Sequence, residues 1–168
     1  MTELPCVEQL PTVLCASRRW IGRKNVWDES KKKNKKPPYS PVDGSAIGAT
    51  EKYADHWLTF DEALKGVVKY QLDGLGFVFK DGDGFIGLDF DDCRDPETGA
   101  IDPIVQNWLR WFPTFTEVSP SGTGIHIIGK AKLVKSLTAH PLDAARPEGP
   151  KIEIYDRDRY FAITGKGL

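Results

Sequence analysis

The chain has 168 residues, 40% of them hydrophobic and 28% charged, with 23 basic against 24 acidic side chains and a net charge of −1. That is enough chain for a packed core, and it excludes a global basic field, so any contact with nucleic acid must come from a local patch. Cys6, Cys15 and Cys93 form neither a C-x-x-C pair nor a zinc spacing, so no disulfide scaffold and no zinc are expected, and no apolar run is long enough to span a membrane.

The N-terminus, with Glu3, Pro5 and Glu8, is no signal peptide, and a cytoplasmic location is the expectation. Val7 to Ala16 is apolar but broken by Pro11, which predicts a short helix or an extended arm. Arg18 to Trp27 interleaves basic and aromatic residues and reads as one strand. Residues 28–48 form a basic, proline-rich loop whose run Lys31, Lys32, Lys33, Lys35 and Lys36 is a candidate contact for an anionic backbone. A solvated loop is the plainer reading of such a run.

Ala49 to Tyr70 reads as helical, with Thr59 and Glu62 spaced as a capping box before Ala63, Leu64, Val67 and Val68. Leu75 to Phe79 is an apolar strand. Asp81-Gly82-Asp83-Gly84 then turns the chain. An EF-hand loop is excluded there, because Phe85 falls where an oxygen ligand is needed and Asp92 stands at the twelfth position in place of glutamate.

Gly84 to Cys93 carries the most information. Ile86, Leu88 and Phe90 alternate with Gly87, Asp89 and Asp91, so a strand would bury three apolar side chains and present two carboxylates on its other face. Carboxylates two residues apart can converge on a pair of divalent ions. Ile101 to Phe112 is an amphipathic helix with Asp102 as N-cap and Pro103 at its first position. Thr114 to Val118 and Ile125 to Ile128 are strands. The loop between them, Ser119-Pro120-Ser121-Gly122-Thr123-Gly124, offers backbone N–H groups and hydroxyls to an anion. His126 follows on the face opposite Ile125 and Ile127.

Lys135 to Pro150 shows no periodicity and reads as a mobile connection. Lys151 to Tyr155 and Arg159 to Thr164 are a strand pair joined by Asp156-Arg157-Asp158. Glu153 faces away from Ile152 and Ile154 and is a candidate third acid, with Asp156 as its competitor. Arg157 and Arg159 are candidates to meet a triphosphate. Mostly hard oxygen donors suit Mg2+ or Mn2+. The coarse expectation is one α/β (α+β) domain over residues 1–168, a mixed sheet with flanking helices. His56 and His140 receive no role.

Asp-x-Asp (Gly87 to Cys93), then Thr116 to His126 with its Ser-Gly-x-Gly-x-His, then Ile152 to Asp156 with Arg159-Tyr160-Phe161 and Thr164-Gly165, stand in an order that resembles the archaeo-eukaryotic primase superfamily. More narrowly, the chain is similar to the primase–polymerase domain at the N-terminus of many phage- and plasmid-borne replication proteins. Lys36 to Tyr39 and Trp57 to Ala63 extend the resemblance, which covers most of the chain from about Trp20 onward. It implies an α/β unit joined to a sheet similar to an RNA-recognition motif. It implies a nucleotidyltransferase acting on a DNA template and primer with NTP or dNTP. Asp89, Asp91 and Glu153 would hold two ions, Mg2+ or Mn2+. His126, with Ser119, Ser121, Gly122, Thr123, Gly124 and Arg159, would bind the nucleotide. A helicase-type domain would follow in a longer parent. The chain shows no zinc module and no helical domain after the sheet, though some relatives carry them. Readings from other classes are an inactive DNA-binding or origin-recognition module, and a metal-dependent nuclease or phosphohydrolase on the same acids.

Overall fold

A computed structural model describes Pro5 and residues 9–168. The readings for Glu3 and Glu8, for Cys6, and for the start of the Val7 to Ala16 segment lie outside the described residues. The fold is α+β and falls into two compact units, one of residues up to Lys80 with Arg157–Gly165, the other Asp81–Asp156 with Lys166–Leu168.

In the first unit α1 (Thr12–Ala16) precedes β1 (Trp20–Arg23), a hairpin of β2 (Val26–Asp28) and β3 (Lys33–Lys35), and β4 (Pro38–Tyr39). A 3-10 turn (Glu51–His56), α2 (Phe60–Lys69), β5 (Gly74–Phe79) and β11 (Arg159–Ile163) complete it. The four-stranded sheet has the order β11-β5-β1-β4, antiparallel throughout. Every residue of β5 is buried. Trp20 meets Phe60 and Phe77 edge to face, with centroids 4.9 and 5.4 Å away, and its indole N–H donates to the Leu14 carbonyl at 2.7 Å. That bond satisfies the one polar atom of a fully buried side chain. Gly66 lets α2 approach the 41–42 peptide, since a Cβ there would stand 2.1 Å from the Pro41 carbonyl oxygen.

Three expectations change here. Arg159 to Thr164 is not the hairpin partner of Lys151 to Tyr155, because β11 pairs with β5 while the strand over Lys151–Tyr155 pairs with Phe85–Asp91 in another sheet. The helix over Ala49 to Tyr70 is broken, because Leu58 exchanges both backbone hydrogen bonds with Trp20 at 3.0 Å and must be extended. The chain restarts at Thr59, whose backbone N–H donates to the Glu62 carboxylate at 3.0 Å, completing the capping box. The strand over Arg18 to Trp27 is two strands, because Asp73 accepts from the Asn25 N–H at 2.8 Å and holds the chain out of the sheet at that point.

In the second unit β6 (Phe85–Asp91), α3 (Pro103–Trp111), β7 (Phe115–Val118), β8 (Ile125–Lys130), β9 (Leu137–Pro141) and β10 (Lys151–Tyr155) build a five-stranded antiparallel sheet of order β7-β8-β6-β10-β9. Asp102 caps α3 by accepting from the Ile104 N–H at 3.0 Å. The helix lays Val105, Trp108 and Leu109 on Ile86, Leu88, Phe90, Ile125, Ile127 and Ile152. One face of the sheet is therefore apolar, and period two assigns the polar side chains of β6, β8 and β10 to the other. Lys135 to Pro150 is not a plain connection, since it contains β9. Thr138 and Ala139 together oppose Glu153 at a bulge, with Ala139 at φ 46°, and that bulge hides the strand's period.

Candidate active site

β6 is the central strand of its sheet, and its register sets the site. Asp89 pairs with His126 on one side and Glu153 on the other, and His126 pairs in turn with Glu117. Four ionisable side chains thus stand in one row across β7, β8, β6 and β10. Asp91 lies two residues along, opposite Lys151.

Glu117 is fully buried and His126 is 5% exposed. The ring places Nδ1 3.0 Å from Glu117 Oε1 and Nε2 3.6 Å from Asp89 Oδ1. Burial acts to lower the histidine's pKa, but the carboxylates of Asp89, Glu117 and Asp91 outweigh it and hold the pKa above the ordinary imidazole value. Tyr155 donates its hydroxyl to the Glu153 carboxylate. Asp91 reaches solvent, yet its carboxyl is pushed up to about 6 by the hydration it loses against the strand end, then by repulsion from Asp89, Glu153 and Asp92. Asp156 is buried immediately after β10 and lies off the row, whereas Glu153 lies in it.

The Ser119–Gly124 loop is tied to the end of β6. The N–H groups of Cys93 and Arg94 both donate to the Thr123 carbonyl at 2.9 Å, and Arg94 Nη1 donates to the Gly122 carbonyl at 2.9 Å. Hydroxyls of Ser119, Ser121 and Thr123 form a chain with successive separations of 2.9 Å. Gly122 adopts φ +79°, and a Cβ on Gly124 would stand 2.8 Å from the Phe90 carbonyl oxygen. The geometry brings this loop to the strand that carries Asp89 and Asp91.

Other candidates lie in the first unit. Arg159 begins β11, exposed, with its guanidinium donating to the Asp158 carbonyl at 3.3 Å. The lysine run is partly a hairpin. Lys33 and Lys35 are on β3, Lys35 Nζ is 2.5 Å from Asp28, and the Lys36 carbonyl accepts from the Tyr160 hydroxyl. Trp27, 53% exposed, stands on the same hairpin, opposite Asn34.

Sequence reasoning gave no role to Glu117, Tyr155 or Arg94. Glu117 was findable, since an acid two places before Ser119 sits at the strand position that pairs with His126 in a short hairpin. Arg94 had no signal, because its partner is a backbone carbonyl 28 residues away.

Asp89, Asp91 and Glu153 offer only hard oxygen donors, and the crowding that raises Asp91 is the kind a divalent cation relieves, so the donor chemistry fits Mg2+ or Mn2+. Among the described residues no three acidic, histidine or cysteine side chains already close round a single ion.

Fold and site together define an α+β domain with a carboxylate–histidine row and a hydroxyl-rich loop on one antiparallel sheet. The chain is 31% identical over 165 residues, 95% of its length, to the protein named DNA primase-polymerase of Nitratiruptor phage NrS-1. This match bears out the resemblance to the primase–polymerase domain of phage replication proteins, and the superfamily likeness is consistent with it. The chain spans 21% of that relative's length. No protein-family model matches the chain. No helix among the described residues is long and apolar enough to cross a membrane.

Proposed function

We propose that this chain is the catalytic domain of a template-directed nucleotidyltransferase, making or extending primers on DNA within a longer replication protein. The observation that carries the reading is the register of β6: Asp89 stands between His126 and Glu153, with Asp91 and the Ser119–Gly124 loop at the same end of the strand. A nearly full-length likeness to part of a DNA primase-polymerase supports it.

Asp89, Asp91 and Glu153 hold two divalent ions, Mg2+ or Mn2+. When bound, such ions lower the pKa of a primer hydroxyl and neutralise charge on a triphosphate. The chain's own groups do the rest. Ser121, Thr123 and the backbone of Gly122 and Gly124 receive the phosphates of an NTP or dNTP, with Ser119 bracing the loop through Ser121. His126 presents Nε2 on the Asp89 side of its ring, where it can donate to a phosphate oxygen. Tyr155 fixes the Glu153 carboxylate by its hydrogen bond. Lys31, Lys32, Lys33 and Lys36 contact the template backbone, with Lys35 held by Asp28, and Trp27 offers a face on which a base stacks.

The test is incorporation of labelled nucleotide on a primed single-stranded template with Mg2+ or Mn2+, beside the Asp89→Asn/Asp91→Asn double variant. Metal-dependent incorporation that the variant loses, with DNA binding kept or tightened by removal of two repelling charges, is the expected result. Incorporation that survives the double change removes the metal-site assignment. Degradation of substrate without extension replaces the polymerase reading with a nuclease.

A further inference from the structure

Glu117 has no part in the chemistry proposed above, yet it is a carboxylate with no exposed surface, which is costly unless a partner compensates it. Its partner is His126 Nδ1, 3.0 Å from Oε1. An ionised carboxylate only accepts hydrogen bonds, so with Glu117 ionised it is Nδ1 that carries the shared hydrogen. That bond fixes the ring from behind. Nε2 is then the nitrogen turned to the other side, 3.6 Å from Asp89 Oδ1. Register makes the arrangement rigid, because Glu117, His126 and Asp89 are direct cross-strand partners on β7, β8 and β6. The outer strand is pinned next to the pair as well, since the Val118 N–H donates to the Lys166 carbonyl at 2.8 Å.

We propose that Glu117 is a positioning residue, which holds His126 with Nδ1–H turned inward and Nε2 directed to the Asp89 side. Without Glu117 the imidazole could rotate about χ2 or exchange its nitrogens, and Nε2 would no longer be delivered to one place. The same division of labour orients metal-bound histidines through a carboxylate behind the ring, where loss of the outer partner typically costs roughly ten- to a hundredfold in affinity or activity. That His126 then serves a nucleotide rests on the function proposed above; the orientation of the ring does not.

The experiment uses the chain with 15N-labelled histidine, its signals assigned by replacing His56 and His140 in turn, and compares Glu117→Met with Glu117→Gln. Methionine keeps the volume and loses the acceptor, while glutamine keeps a carbonyl oxygen that can accept from Nδ1–H. In the unsubstituted protein His126 shows a hydrogen on Nδ1 that exchanges slowly with water. Glu117→Met loses that slow exchange, and Glu117→Gln retains it. In primer extension Glu117→Met raises the nucleotide KM by roughly ten- to a hundredfold with a smaller change in kcat, and Glu117→Gln recovers most of the loss, which a purely structural role would not do. A bare Nδ1 in the unsubstituted protein overturns the proposal, as does a folded Glu117→Met protein with unchanged KM. If the unsubstituted protein incorporates no nucleotide, the polymerase reading falls while the imidazole signals still decide the orientation. If Glu117→Met does not fold, the spectra of the unsubstituted and Glu117→Gln proteins decide it, and loss of the slow Nδ1 hydrogen in the glutamine variant counts against the proposal.

Discussion

Asp89 stands directly across the gap between β6 and β10 from Glu153, two carboxylates paired on adjacent strands. Like charges in that position repel, and Asp91 adds a third within range of both. A fold keeps such a cluster only at a cost to its own stability, so removing one charge should relieve it. In the presence of a chelator at neutral pH, Asp91→Asn is expected to be more stable than the unsubstituted protein. The gain is about 1 kcal/mol once solvent screening of this exposed carboxyl is discounted. That corresponds to roughly 2–4 °C in Tm for a chain of this size. Added Mg2+ should reverse the order, because it stabilises the three-carboxylate site and not the depleted one. Melting curves with and without Mg2+ check this; an unchanged difference between the two conditions would mean that the acids do not share an ion.

Gly124 is the point at which the loop touches the acid strand. Its substitution by alanine puts a Cβ 2.8 Å from the Phe90 carbonyl oxygen and 2.9 Å from Ser119 Oγ. Neither can yield freely, since the first is strand backbone and the second belongs to the hydroxyl chain. Gly124→Ala should cost about 1–3 kcal/mol in stability, as overpacking does, and should weaken nucleotide binding beyond what the stability loss explains. Thermal melts beside nucleotide titrations separate the two effects. A variant with normal melting and normal binding would show that the loop shifts without consequence.

The acid strand was legible because period two is local: Ile86, Leu88 and Phe90 go to the core and Asp89 and Asp91 do not, and no tertiary contact is needed to see it. The capping box at Thr59 and Glu62 and the cap at Asp102 were legible for the same reason. Where partners were distant, the sequence was silent. The break at Trp57 to Thr59 depends on Leu58 pairing with Trp20, 38 residues earlier. β9 was hidden by its bulge, which shifts the alternation within five residues. The row Glu117–His126–Asp89–Glu153 depends on the registers of three strand pairs, and a slip of one residue in any of them would move its acid to the other face.

Asp102 serves two partners at once. It caps α3 through the Ile104 N–H and accepts from Arg146 Nη1 at 3.0 Å. The Arg146 guanidinium, with the cap, holds its carboxyl below the usual carboxylate range. Asp102→Ala should lower stability by about 1 kcal/mol through the lost cap, while Arg146→Ala should cost less, because that ion pair is largely exposed. Denaturant titrations of both variants test the ranking. Equal losses would show that the ion pair contributes as much as the cap.

The β2–β3 hairpin separates charge from stacking in a way that salt can resolve. Lysines that meet phosphates release counterions, so replacing Lys31, Lys32, Lys33 and Lys36 with alanine should flatten the salt dependence of single-stranded DNA binding by up to ~0.7 in slope for each phosphate that a lysine no longer neutralises. Trp27→Ala should lower affinity by about 1–3 kcal/mol, as loss of a stacking face does, and leave the slope unchanged. Lys35 differs from its neighbours because its ammonium is paired with Asp28 at 2.5 Å. That ammonium, followed by the Ser30 hydroxyl, holds the Asp28 carboxyl well below the usual carboxylate range. A depressed carboxylate keeps its pair at every pH above its unfolded value, about 4, and loses it only as pH falls through the folded one, so the pair is intact under any ordinary binding condition. Asp28→Asn should therefore free Lys35, steepening the salt slope and tightening DNA binding, and the change should be the same at pH 6 and pH 8. Filter binding or fluorescence anisotropy over a salt series measures all three variants. A Trp27→Ala protein whose slope falls with its affinity, or an Asp28→Asn protein with no change in slope, would take the hairpin out of the DNA interface.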